Sequence, residues 1–307
     1  MSRFYFGGLA RQDYLAALAE ARGAGVLGKL LTPGVSNFKT AKTADIVELA
    51  VLHLAPHKLA YGGRGRVFNS CPHSTPGCRA CCLNTAGRGQ IRGAVLERGE
   101  AAECQLQRFL KYPIHGARIR RTRFFHEHRI AFLLMLAGEI AGLQRRAVRR
   151  GVPAVARLNA TADIPWEREA LPGGVSIFGA FPGVQFFDYT KSKRRALCFA
   201  AGVLGDRPTL GDTAHRDAPW PTNYYLTYSR TEKDTPGDIK KILGAGVNVA
   251  AVFAEALPRE WNGLRVIDGD TSDLRYEEPL GVVVGLLAKG KAKNDQSGFV
   301  IRGASRG

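Results

Sequence analysis

The chain has 307 residues, 45% hydrophobic and 23% charged, which is enough for a full core and excludes a largely disordered polyelectrolyte. Its 44 Lys and Arg against 27 Asp and Glu leave a formal charge of +17, a field that attracts polyanions and makes nucleic acid the natural partner class without selecting one. No apolar run approaches the roughly 20 residues needed to span a bilayer; the longest is Ile130–Leu136, and Met1–Phe6 lacks the apolar stretch of a signal peptide, so the expected location is the cytoplasm.

In chain order, Gln12–Arg22 carries helical apolar spacing at Tyr14, Leu15, Leu18 and Ala21. A polar loop follows at Ser36–Thr43, and Ala44–Leu54 is apolar and suits a helix or a strand. Asn69–Gly89 reads as a loop, punctuated by Pro72, Pro76, Gly77, Gly87 and Gly89. Helices are expected over Gly93–Leu110 and, more strongly, over about His126–Arg150, which stops before Gly151 and Pro153.

Beyond that point short apolar runs recur at Ala154–Leu158, Val184–Phe187, Tyr224–Tyr228, Val247–Phe253, Leu264–Ile267 and Val282–Leu287. Such runs, spaced by helices or loops, read as buried parallel strands. Thr235–Leu243 reads as a helix with Pro236 in its first turn, and the polar stretch Ser192–Thr222 reads as an insertion or lid.

Four of the six cysteines, Cys71, Cys78, Cys81 and Cys82, fall within twelve residues; Cys104 and Cys198 stand apart and read as core. In a reducing compartment structural disulfides are rare, and clustered thiols point to metal or catalysis. Thiolates closely spaced on a loop can wrap one soft metal centre. Three of them with an open position suit a [4Fe–4S] cluster; four, or three with His73, suit closed tetrahedral zinc. The spacing matches neither a standard zinc finger nor the usual radical S-adenosylmethionine pattern. The bland alternative is buried cysteines packing as small apolar groups, against which the Pro- and Gly-rich surroundings argue.

Polar residues also stand at the ends of the expected strands: Asn159 and Asp163; Asp188 and Lys191; Ser229 and Arg230, with Glu232 beyond; Asp268, Asp270 and Asp273; Lys289 and Lys291. Polar groups past the carboxyl ends of parallel strands converge on one site in barrels and open sheets. The competing reading makes them helix caps and turn residues. Arg118, Arg120, Arg121 and Arg123 precede Phe124-Phe125, a pattern that suits a single-stranded nucleic-acid groove if the rings are exposed and a core if they are not. His126-Glu127-His128 places its histidines on different helix faces and is set aside as a metal site. Gly62–Arg66 and Gly285–Lys291 miss the phosphate-loop spacing.

Several stretches together are similar to the "gene product 88" family of bacteriophage proteins. They are Val35–Thr43, the cysteine loop through Gly89, Arg123–Phe125, Arg157–Glu167, Phe181–Lys191, Asn223–Arg230, Val266–Asp270 with Asp273 and Arg275, and Val284–Ala292 through Gly298–Val300. The resemblance implies a phage or prophage origin and the interior of an infected or lysogenic bacterium. It also implies three cysteines, matched by Cys71, Cys78 and Cys82, with Cys81 an extra of this chain, which favours an open site over closed zinc. The chain departs from the family pattern by longer inserts near Val95–His115 and Ser192–Thr222.

The resulting expectation is an α/β fold in a single domain, with a parallel sheet forming a partial or complete TIM-barrel-like array. Residues 1–150 form a helical region holding the cysteine loop 69–89, and residues 151–307 form the barrel-like half with an insertion at 192–222. The first functional expectation is a radical-S-adenosylmethionine-like enzyme acting on a nucleotide, DNA or RNA. In it Cys71, Cys78 and Cys82, with Cys81 beside them, hold a [4Fe–4S] cluster. Asp163, Asp188, Lys191, Asp268 and Asp270 are the candidate catalytic groups, and Asn159, Ser229, Arg230 and Lys289 bind S-adenosylmethionine or substrate. The second is a zinc-stabilised nucleic-acid-binding protein, and the third a nuclease holding Mg²⁺ through Asp163, Asp188, Asp268 and Asp270.

Overall fold

A computed structural model describes residues 4–6, 9–36, 41–62, 68–86, 89, 106–205 and 218–303. In chain order, β1 (Phe4–Phe6) and β2 (Leu9–Ala10) pair antiparallel and lead into α1 (Arg11–Gly23). β3 (Leu31–Pro33) pairs antiparallel with β4 (Glu48–Leu52), resolving the ambiguous apolar segment as a strand. The cysteine segment is mostly loop but contains the short helix α2 (Pro76–Ala80). α3 (Pro113–Glu127) and α4 (Arg129–Arg150) follow. Then come β5 (Ala154–Arg157), α5 (Ile177–Ala180), β6 (Val184–Thr190) and α6 (Lys193–Ala200). The chain continues with β7 (Tyr224–Ser229), α7 (Pro236–Gly244), β8 (Val249–Phe253), β9 (Glu260–Trp261), β10 (Leu264–Asp268), β11 (Val283–Leu287) and β12 (Val300–Ile301).

The result is a mixed α/β fold whose sheet has ten strands, mostly parallel, in the order β3-β4-β5-β6-β7-β8-β11-β10-β9, with β12 also on β8. The sheet is not closed: among the described residues the order begins at β3 and ends at β9 with no pairing between them, so a complete barrel does not form. The chain groups into two compact units, residues 1–72 with 91–186, and residues 73–90 with 187–307.

In the first unit α4 packs on α1 because Gly138 has no side chain. A Cβ there would lie 2.2 Å from the Tyr14 ring. Glu139 on α4 accepts hydrogen bonds from Leu30 N at 2.7 Å and Leu31 N at 2.8 Å, fixing the entry to β3. Gly151, at φ 65°, closes α4 in the left-handed conformation that glycine adopts without strain, and its N–H bonds to Ala147 and Val148 carbonyls. α3 was not expected from the sequence. Pro113 occupies its first turn, where a missing N–H costs nothing.

In the second unit β8 and β11 run parallel over their whole length, and β12 pairs with the last two residues of β8. Their continuous apolar sequence fits strands covered on both faces. Ile239, Ile242 and Leu243 of α7 pack with Val249, Ala251, Phe253 and Val283 in one buried cluster. Thr235 and Asp238 form a reciprocal capping box at the start of α7. The expected insertion at 192–222 is in part regular structure: Ser192 caps α6, whose Arg195 and Ala196 are buried. The remainder of that insertion at 206–217, and most of the helix expected over Gly93–Leu110, lie outside the described residues; residues 106–110 are helical.

Candidate functional site

The second unit carries the cysteine turn at the carboxyl ends of its parallel strands. Thr75 caps α2: its hydroxyl accepts from Cys78 N at 3.3 Å and donates to Glu232 Oε2 at 2.6 Å. Gly77 N donates to Glu232 Oε1 at 2.9 Å. Burial opposes ionisation of Glu232, but the Thr75 and Gly77 hydrogen bonds outweigh it and hold the carboxyl below its ordinary value. At the other end of the turn Cys81 is buried with Ala288, Ala292 and Val300, residues that follow β11 or belong to β12. Its thiol hydrogen-bonds Asp295, which also accepts from Ser297 N at 3.2 Å, Ser297 Oγ at 2.7 Å and Val300 N at 3.0 Å. Burial, reinforced by the Asp295 charge and hydrogen bond, pushes the Cys81 thiol up to about 12. Cys78 and Cys82 are half-buried, and none of the five described cysteines is in a disulfide; Cys104 lies outside the described residues.

In the first unit Cys71 lies past the carboxyl ends of β4 and β5. Its thiol donates to Thr161 O at 3.6 Å, and its N–H to Asn69 Oδ1 at 2.9 Å. The neighbouring Ser70 hydroxyl donates to Ala55 O at 2.6 Å, and Ser70 O accepts from Asp163 N at 2.7 Å. Asn159 is buried. Its amide oxygen accepts from Ile164 N at 2.9 Å and Trp166 Nε1 at 3.1 Å, and its amide nitrogen donates to Ile164 O at 2.9 Å. The local geometry therefore makes Asn159 the former of the loop after β5. Asp163 is buried beside it.

The remaining candidates fall into separate groups in the second unit. Asp188 is fully buried within β6 and accepts from Tyr224 Oη at 3.1 Å; the buried Arg195 guanidinium donates to the same Tyr224 Oη at 3.3 Å and to Thr190 Oγ1 at 3.2 Å. Lys191, Ser229 and Arg230 are brought together at the carboxyl ends of β6 and β7. Lys191 Nζ donates to Ser229 Oγ at 2.9 Å and lies 4.8 Å from the Phe299 ring centre. Arg230 donates to Gly298 O at 3.0 Å and Phe299 O at 3.1 Å, with its guanidinium 5.5 Å from the Trp261 ring centre. Asp270 accepts from Lys289 Nζ at 2.7 Å and Leu287 N at 2.9 Å, while Asp268 accepts from Asp270 N at 2.7 Å. Arg275 is fully buried and secures this loop through Gly269 O at 2.7 Å and through Ser272 and Glu278. An open cavity of about 370 Å³ is lined by Arg230, Trp261, Asp295, Gln296 and Arg302, among others.

Among the described residues no three or more His, Cys, Asp or Glu side chains are already gathered as a metal site, and no helix is long and apolar enough to cross a membrane. Phe124 and Phe125 are fully buried, so the arginines before them do not flank an exposed aromatic platform. Two of those arginines have structural partners shown directly: Arg121 donates to Lys29 O at 2.6 Å, and Arg123 donates to Ala60 O at 2.8 Å and lies over Tyr61. Arg146 and Arg150 at the end of α4 pair with Glu48. In the His126–His128 stretch, His126 and Glu127 meet Tyr61, whereas His128 meets Glu20 at 2.5 Å. Thr75, Asp295 and Arg195 are not legible as functional in the sequence, since a lone polar residue in a loop or helix carries no signature of burial.

The fold and these sites define an open mixed α/β protein with a cysteine turn fastened over parallel strand ends. The profile of the family described as Gene product 88 matches residues 29–303, and the chain belongs to that family. No curated protein matches the chain. No solved structure matches it.

Proposed function

We propose that the protein is an iron–sulfur enzyme, radical-S-adenosylmethionine-like, with Cys78 and Cys82 among its cluster ligands and a nucleotide or nucleic acid as substrate. One observation carries the reading: in the second unit a Pro- and Gly-bearing turn fastened by two carboxylates holds Cys78 and Cys82 half-buried at the carboxyl ends of parallel strands, where open α/β sheets bind ligands. The donors fit the group in kind, because iron–sulfur clusters are held by Cys thiolates. Cys81, enclosed and hydrogen-bonded to Asp295, fits the role of a packing residue. A bound [4Fe–4S] cluster supplies one-electron chemistry and an iron able to take an external ligand. Lys191 and Arg230 give the same strand ends positive charge, and the neighbouring cavity falls within the usual size range of small-molecule sites. The net charge of +17 favours an anionic substrate.

The test is anaerobic reconstitution of wild type, Cys78→Ser, Cys82→Ser and Cys81→Ser, reading iron, sulfide and S-adenosylmethionine cleavage. The reading expects Cys78→Ser and Cys82→Ser to lose the cluster with the fold retained, and Cys81→Ser to keep it. A cluster that survives both Cys78→Ser and Cys82→Ser contradicts the ligand set.

The same charge also favours a second reading, a zinc-stabilised nucleic-acid-binding protein, in which Cys78→Ser unfolds the chain. The Mg²⁺ nuclease gains no support, because Asp188 is enclosed with Tyr224 and Asp270 is paired with Lys289.

A further inference from the structure

We infer that Glu232 is the positioning residue of the cysteine turn, presetting Cys78 for metal before any metal arrives. The inference rests on the metal-binding reading above. Glu232 stands three residues past the end of β7, and each of its oxygens takes one donor from the turn: Thr75 Oγ1 at 2.6 Å and Gly77 N at 2.9 Å. Thr75 passes the constraint on, because the hydroxyl that donates to Glu232 accepts from Cys78 N at 3.3 Å. A single carboxylate thereby fixes the residue before Cys78 directly and Cys78 itself through one hydroxyl.

The packing leaves the turn no slack at this point. A Cβ on Gly77 would lie 2.3 Å from Ser297 Oγ, 2.8 Å from Glu232 Oε2 and 2.8 Å from Phe299 Cβ. No side chain fits between the turn and Glu232, so Gly77 is the residue that lets backbone and carboxylate meet. Asp295 holds the far end of the same turn through Cys81, and it holds Ser297 as well. Thiolate ligands in flexible loops must otherwise be ordered at the moment of binding; a turn ordered in advance removes that cost from the binding step. Groups that orient metal ligands without touching the metal typically change affinity about ten- to a hundredfold when removed.

The test titrates Co²⁺ into the metal-free full-length protein without oxygen, following thiolate-to-cobalt absorption. Wild type, Glu232→Ala, Glu232→Gln and Thr75→Val are compared, and amide exchange at Gly77 and Cys78 is measured in the metal-free state. Glutamine keeps the shape and an oxygen for Gly77 N but loses the charge. The expected result is a Co²⁺ affinity about ten- to a hundredfold weaker in Glu232→Ala, with faster exchange at both amides and an unchanged far-ultraviolet spectrum. Glu232→Gln recovers most of the affinity, and Thr75→Val falls between. Wild-type affinity in Glu232→Ala overturns the role of Glu232 and leaves the metal reading standing. Failure of wild type itself to bind Co²⁺ overturns the inference, while the iron–sulfur reading stands or falls separately on iron and sulfide incorporation into wild type. If Glu232→Ala does not fold, Thr75→Val decides: wild-type affinity and exchange in that variant overturn the inference.

Discussion

Replacing Asn159 with leucine separates a loop-forming role from a ligand-binding one. The side chain makes at least three hydrogen bonds inside the protein, to Ile164 N, Ile164 O and Trp166 Nε1, at 2.9, 2.9 and 3.1 Å. Leucine fills nearly the same volume and makes none of them. Each buried polar group left unpaired costs about 1–3 kcal/mol. Partial relaxation towards water lowers the sum for three groups to about 3–5 kcal/mol. Trp166 is fully buried against Phe125 and Phe132, and with Trp220 and Trp261 replaced by phenylalanine its fluorescence reports the site directly. Urea unfolding followed by that emission is expected to show a loss of about 3–5 kcal/mol at unchanged slope. Emission is expected to shift even in the folded baseline as the indole loses its acceptor. A loss under about 1 kcal/mol would refute the loop-forming role.

Three further outcomes follow from the geometry. Burial first, then Arg118, Arg157 and Arg121, push His53 down to about 3, below its ordinary 6.5. The unfolded chain therefore binds the extra proton first. The stability His53 contributes is complete above about pH 6.5 and is lost as pH falls towards 3, by about 1–3 kcal/mol allowing for partial exposure of the ring; urea midpoints across that range should flatten in His53→Gln. Asp188→Ala removes a fully buried carboxylate that accepts from the Tyr224 hydroxyl, and is expected to cost about 1–3 kcal/mol in thermal or urea unfolding; a neutral result would mean the group is not structural. Asp270→Asn loses the ion pair with Lys289, whose side chain is 55% exposed, so the loss of stability should stay below about 1 kcal/mol, and a larger loss would show that the pair does more than its exposure allows.

Much of the parallel sheet was legible because its strands are short continuous apolar runs, such as Val249–Phe253 and Val283–Leu287, and buried strands demand that composition. α7 was legible from Thr235, Pro236 and Asp238, which are start signals with a local mechanism. α3 was not: its arginines read as a charged lead-in, and only the structure shows Arg121 and Arg123 bound to backbone carbonyls. Closure was also illegible, since whether the first and last strands pair depends on contacts between distant parts of the chain. The strand-end residues divided for one reason. A polar residue after an apolar run has the same signature whether it faces a ligand or satisfies its own loop; Asn159 hydrogen-bonds within its own loop, and Lys191, Ser229 and Arg230 gather at a strand mouth. The cysteines were visible as a cluster, but the burial of Cys81 against Ala288, Ala292 and Val300 was not, because its partners lie some two hundred residues further along the chain.

The most direct test of the central claim is anaerobic purification followed by an absorption spectrum with iron, sulfide and zinc analysis. The iron–sulfur reading predicts a brown protein with a broad band near ~400 nm and about four iron and four sulfide per chain. A colourless protein with about one zinc per chain, or with no metal at all, would contradict it.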